Sequence, residues 1–113
     1  MIFHIAVCGP DAGLRSGLER QCMEYFARRE DACIVQQLAD PEQLLRREAD
    51  AERIDLYLIE LSAVADPAGL RAAAELRRRG RKAPIAFIAR TPAHAYSAFR
   101  VDAMQYLLLP VHQ

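Results

Sequence analysis

The stretch Pro84 to Pro110, PIAFIARTPAHAYSAFRVDAMQYLLLP, decides the fold. Pro84 to Ala89 is an unbroken apolar run, short enough for a strand and lacking the polar alternation of a strand with one wet face. Thr91-Pro92 then supplies a helix cap followed by proline at the first helical position. The helix it opens carries Ala95, Tyr96, Ala98 and Phe99. Gln105 to Leu109 is a further strand, stopped by Pro110.

The same alternation runs back to the N-terminus. Ile54 to Leu61 is apolar except Asp55 and Glu60, and Asp66-Pro67 repeats the cap-plus-proline device. It opens a helix with Leu70, Ala73, Ala74 and Arg77 on one side, ending at Gly80 as a C-cap. Cys33 to Leu38 is a weaker strand, followed by Asp40-Pro41 and a short helix with Leu44, Leu45 and Ala49 as its stripe. Ile2 to Cys8 is the first strand, ended by Gly9-Pro10. Asp11 caps a helix to about Arg29, with Leu14, Leu18, Cys22, Tyr25 and Phe26 at three- and four-residue steps.

Strand and helix alternate four times before a fifth strand. Nearly continuous apolar strands between helices predict a parallel sheet covered on both faces, in one α/β domain spanning 1–113. In such sheets the functional crevice lies beyond the carboxyl ends of the strands. That selects Gly9–Asp11, Glu60–Ser62, Ala89–Thr91 and Leu109–Pro110.

Composition narrows the function. The 15 basic and 15 acidic residues cancel, so net charge offers no footprint for nucleic acid or an anionic membrane. The basic block Arg77-Arg78-Arg79-Gly80-Arg81-Lys82 reads as a solvated helix end, where cations suit the dipole. No apolar run approaches the ~20 residues of a membrane span, and no secretory leader is recognisable. Cys8, Cys22 and Cys33 lack metal-ligand spacing and read as free thiols, so the expected location is cytoplasmic. His4, His94 and His112 are scattered; Ser16, Ser62 and Ser97 belong to no nucleophile motif. Gly13 and Gly17 complete no dinucleotide or phosphate-loop pattern. An enzyme is not expected.

With IAVCGPD at the start, DLYLIELS in the middle and the Pro84–Pro110 stretch, the chain resembles a response-regulator receiver domain. Among receivers it looks closest to those preceding LytTR-type DNA-binding domains, the LytTR/AgrA type. The resemblance implies a flavodoxin-like (CheY-like) doubly wound sheet of five parallel strands in the order 2-1-3-4-5. It also implies a role in two-component signal transduction, the phosphorelay systems, as a part of transcription regulation. The fifth helix of the family is missing from this chain, which should leave apolar surface open and favour self-association as a homodimer, or docking of a protein partner. A DNA-binding domain would follow only in a longer chain; this domain itself is not expected to touch nucleic acid or membrane.

The family's chemistry is phosphoryl transfer to an aspartate, with Mg²⁺ held by neighbouring carboxylates. Position by position, the resemblance puts the acidic pair on Gly9 and Pro10, leaving the neighbouring Asp11. It puts the phosphoacceptor on Glu60, the Thr/Ser on Ala89 and the Lys on Leu109. All the signature roles are altered together, so the expectation is a pseudo-receiver with no catalytic residue, no metal site and Mg²⁺ binding lost. Glu60 has two readings: a partial mimic of the phosphorylated state, or a strand-end carboxylate paired with an arginine such as Arg90. Tyr106 matches the family's switch aromatic and also fits a half-buried core tyrosine. Pro110 matches a proline that is cis in the family and also fits a plain strand terminator. Two other functions remain in view. One is a small-ligand sensor using the drier crevice around Gly9, Glu60, Ala89 and Leu109; the other is a conventional phosphorylated receiver with Asp11 and Thr91 as relocated ligands.

Overall fold

In the computed structural model, which describes residues 1–49, 53–62, 65 and 67–109, the chain alternates strictly between strand and helix. The order is β1 (Ile2–Cys8), α1 (Ala12–Arg28), β2 (Ala32–Leu38), α2 (Pro41–Ala49), β3 (Leu56–Glu60), α3 (Ala68–Arg78) and β4 (Ile85–Ala89). A 3-10 turn (Pro92–His94) leads into α4 (Ala95–Arg100), and β5 (Gln105–Leu108) completes the sheet. All strands are parallel, in the order β2-β1-β3-β4-β5. This is the parallel sheet that the alternation predicts, in the doubly wound, CheY-like order that the resemblance implies. Because β1 lies between β2 and β3, the chain winds first one way and then the other, and a crevice opens beyond the carboxyl ends of β1 and β3.

The helix ends follow from local chemistry. Asp11 is extended (φ −87°, ψ 104°) and its Oδ1 accepts from the Leu14 N–H at 3.0 Å, fixing where α1 starts. Asp40 does the same for α2 through the Gln43 N–H at 3.0 Å, and Gln43 Oε1 returns to the Ala39 N–H at 3.2 Å. α3 stops in a Schellman motif: Gly80 takes φ +81°, its N–H reaches Arg77 O, and the Arg81 N–H reaches Leu76 O. Only glycine enters that backbone region without a steric cost. Asp66, Pro110 and the side chain of Ala49 lie outside the described residues. The N-cap of α3 is Pro67 itself, one residue later than the cap-plus-proline reading expects.

The core has two layers. On one face of the sheet Tyr57, Ile59, Ile85, Phe87, Leu44, Leu76 and Ala98 are buried together, under α2, α3 and α4. On the other, Ile5, Val7 and Cys33 are covered by Leu18, Cys22 and Phe26 of α1, which are only partly buried. Every residue of β4 is buried, as its unbroken apolar run requires.

Three details depart from the sequence reading. The buried stripe of α3 is Gly69, Ala72, Ala73 and Leu76, whereas Ala74 is exposed. A Cβ on Gly69 would come within 2.8 Å of Ile59 Cγ2 and 2.9 Å of Leu61 Cδ2, so close approach to β3 selects this face. After β4, His94 and Ala98 turn inward, while Tyr96 and Phe99 are 76% and 81% exposed. Tyr25 also stands half exposed, its ring under the Arg29 guanidinium at 3.9 Å.

Candidate crevice at the carboxyl ends of the strands

The parallel register brings the singled-out positions to one edge. Cys8 is level with Ile59, Glu60 with Ile88, and Ala89 with Leu108. Past the strand ends, the Gly9 N–H donates to Leu38 O (3.0 Å), the Leu61 N–H to Ile88 O (2.8 Å) and the Leu109 N–H to Ala89 O (2.7 Å). Gly9, Glu60, Ala89 and Leu109 therefore sit at the mouths of four neighbouring strands. Pro110 lies outside the described residues, and Pro10 is exposed at the rim.

Glu60 turns back over Gly9. Its Oε1 accepts the Asp11 N–H at 3.1 Å, and a Cβ on Gly9 would meet that oxygen and the Glu60 Cβ. Asp11 is occupied on both oxygens: Oδ1 by the Leu14 N–H, Oδ2 by Arg90 Nη2 at 3.5 Å. The anticipated Glu60–Arg90 pairing is thus replaced by Asp11–Arg90. The Asp11 amide holds one oxygen of the Glu60 carboxylate, and the Asp11 side chain faces Arg90. Arg15 contributes a second guanidinium unforeseen in the sequence reading. Its Nη1 donates to Gly9 O at 2.6 Å and its Nε to Gln37 Oε1 at 3.2 Å. The available signal was its place one turn after the Asp11 cap, where α1 points its first turn at the crevice.

Beneath the crevice Cys8 is buried, and its thiol is pushed up to about 12. Burial is the largest cause; the Asp40 carboxylate adds to it, Arg15 opposes it, and Glu60 adds a little more. At neutral pH this sulfur is a thiol and no nucleophile. All three cysteines are free.

On the β4–β5 side Ala89 is buried and Leu109 is half-buried. Tyr106 is half-buried as well, and its hydroxyl donates to the Thr91 backbone oxygen at 2.6 Å. The Thr91 hydroxyl accepts the Ala93 N–H at 3.2 Å as the cap of the 3-10 turn. Among the described residues no three His, Cys, Asp or Glu side chains gather as a metal-holding group. No described helix is long and apolar enough to cross a membrane.

No protein-family model matches the chain, and no curated protein matches it in sequence. Solved structures do. The response regulator TrrA of Thermotoga maritima, in complex with Mg(2+)-BeF, is 17% identical with a TM-score of 0.76, over 97% of this chain and 89% of that one. The chemotaxis protein CheY4 of Vibrio cholerae is 15% identical with a TM-score of 0.77, over 99% and 90%. A response regulator receiver protein from Pseudomonas putida is 18% identical with a TM-score of 0.72, over 99% and 89%. The chain has the fold of response-regulator receiver domains.

Proposed function

We propose that this chain is an atypical receiver domain of two-component signal transduction that acts without aspartyl phosphorylation, through protein–protein contacts, in transcription control. The observation that carries the reading is Glu60 folded over Gly9 with its carboxylate held by the Asp11 N–H. An acidic side chain at position 9, as receivers carry there, has no room beside it. Nor do the remaining donors suit Mg²⁺. Asp11 is engaged by Leu14 and Arg90, the Gly9 carbonyl by Arg15, and Pro10 has no side-chain ligand to offer. A hard cation needs about six oxygen ligands, so Mg²⁺ does not fit the residues present and no phosphoryl step is routed through it. Thr91 is a poor relocated ligand, because its hydroxyl is already the cap of the next turn.

Incubation with acetyl phosphate or beryllofluoride and Mg²⁺, followed by NMR, tests this. Unchanged spectra and unchanged mass are expected. Stoichiometric modification at Glu60, or a saturable Mg²⁺-dependent shift, would overturn it.

The contact surface has its own support. Register places Leu107 of β5 on the same face as Leu58 and Val7, and it is half exposed. Met23 and Tyr25 of α1 are also half exposed. Apolar surface of this kind suits a second copy or a protein partner. A dimer mass in light scattering at high micromolar concentration, reduced to monomer by Leu107→Glu, is the expected result; a monomeric wild type counts against self-association.

A further inference from the structure

A groove of about 450 Å³ runs between α3 and α4, away from the residues of the strand-end crevice. Pro67, Leu70, Ala74 and Val101 make it apolar, and Arg71, Arg100, His94 and Ser97 supply its polar groups. None of the described lining residues is acidic. His94 is buried to 8% exposure, yet its imidazole has no hydrogen-bond partner among the described residues. His94 is also one of the residues that line the groove. A buried imidazole without a protein partner, at the wall of a groove, is suited to a hydrogen bond from what enters it. Arg100, at the last turn of α4, is exposed and likewise unpaired among the described residues. Arg71 holds an interaction of its own and is not needed.

We propose that this groove binds a small carboxylate with an apolar body. Arg100 takes the carboxylate as a planar fork. His94 and the Ser97 hydroxyl complete the polar contacts, and the apolar body lies on Leu70, Ala74 and Val101. The volume is within the usual range for small-molecule sites, and the combination of apolar lining with a few convergent polar groups is their usual make-up. An inorganic anion would use the cations and waste the floor; a cationic ligand would meet Arg100. The site is independent of the reading of the Glu60 crevice.

The test titrates the full chain with benzoate and follows amide shifts by NMR, with benzylamine and inorganic phosphate as separate controls. Saturable shifts at Leu70, Ser97, Arg100 and Val101 are expected with benzoate alone. For a ligand of about nine heavy atoms a dissociation constant on the order of 10 mM or tighter is expected. Arg100→Glu, at an exposed position where the fold should survive, weakens benzoate by about tenfold through charge reversal. Equal shifts with benzylamine or phosphate, shifts centred elsewhere, or an unaffected Arg100→Glu variant would each overturn the proposal.

Discussion

A Cβ placed on Gly9 would lie 2.5 Å from both the Cβ and the Oε1 of Glu60, so the two positions share one space. A side chain at position 9 and a carboxylate at position 60 therefore compete for it. Glu60, one methylene longer than aspartate, occupies what a side chain at position 9 would need.

That coupling is measurable. Gly9→Ala is expected to destabilise the wild type by about 1–3 kcal/mol through overpacking. In a Glu60→Gly background, which removes the Glu60 Cβ as well as its carboxylate, the same change should cost much less, because the backbone at Gly9 is not left-handed and only space is limiting. Urea unfolding of the four proteins closes the double-mutant cycle. Equal costs in both backgrounds would mean the two side chains do not compete.

Arg77 is the second test. Its guanidinium donates to four carbonyls, those of Val101, Arg81, Ala83 and Asp102, and so ties α3 to the turns before β4 and β5. Arg77→Ala should cost about 2–3 kcal/mol, and Arg77→Lys should recover little, since an ammonium cannot span that fork. Arg78→Ala, which removes an exposed ion pair with Glu75, should stay within about 1 kcal/mol. Chemical denaturation separates them.

Tyr106→Phe removes the bond to the Thr91 carbonyl and little else. The expected loss is about 0.5–1.5 kcal/mol. NMR should show the disturbance at Thr91 and Ala93, the two residues joined by the threonine cap. A disturbance that instead spreads to Glu60 would reveal communication across the sheet edge that these contacts do not provide.

Cys8 gives the molecule an alkaline weakness. Its folded pKa of about 12 lies above the ordinary 9.0, so the unfolded chain releases this proton first as pH rises. The stabilisation is fully present below pH 9 and is lost as pH climbs towards the folded value. Between about pH 8 and about pH 10.5 the wild type should lose about 2 kcal/mol more than Cys8→Ala, whatever the two start from. Parallel stability curves for the two proteins would exclude Cys8 as the source.

Much of the fold was legible because its signals are local. The apolar runs that became β1 and β4 match their strands within a residue, and the caps Asp11 and Asp40 act as their side chains suggest. The phase of α3 was not legible: Ala72, Ala73 and Ala74 are identical in sequence, and only packing of Gly69 against Ile59 and Leu61 decides which of them turn inward. At the crevice the positions came from strand ends and could be named in advance. Their partners could not. The arginine expected beside Glu60 pairs with Asp11 instead, while Glu60 takes the Asp11 amide. The basic block was likewise half understood, since Arg77 is half-buried and bonded to backbone carbonyls while Arg78, Arg79, Arg81 and Lys82 are exposed.

The long helix α1 contains no fully buried residue. Its amides should therefore exchange with deuterium well before those of β3 and β4, because its own side chains are only partly buried and local opening gives up fewer buried contacts than opening a central strand. The molecule then has a rigid half, built on Tyr57 and Phe87, and a half that lets go first. Asp11 and Arg15 belong to that yielding helix. Whatever grips α1 from outside would slow its exchange, and would steady the hold on Glu60 and Gly9 at the same time.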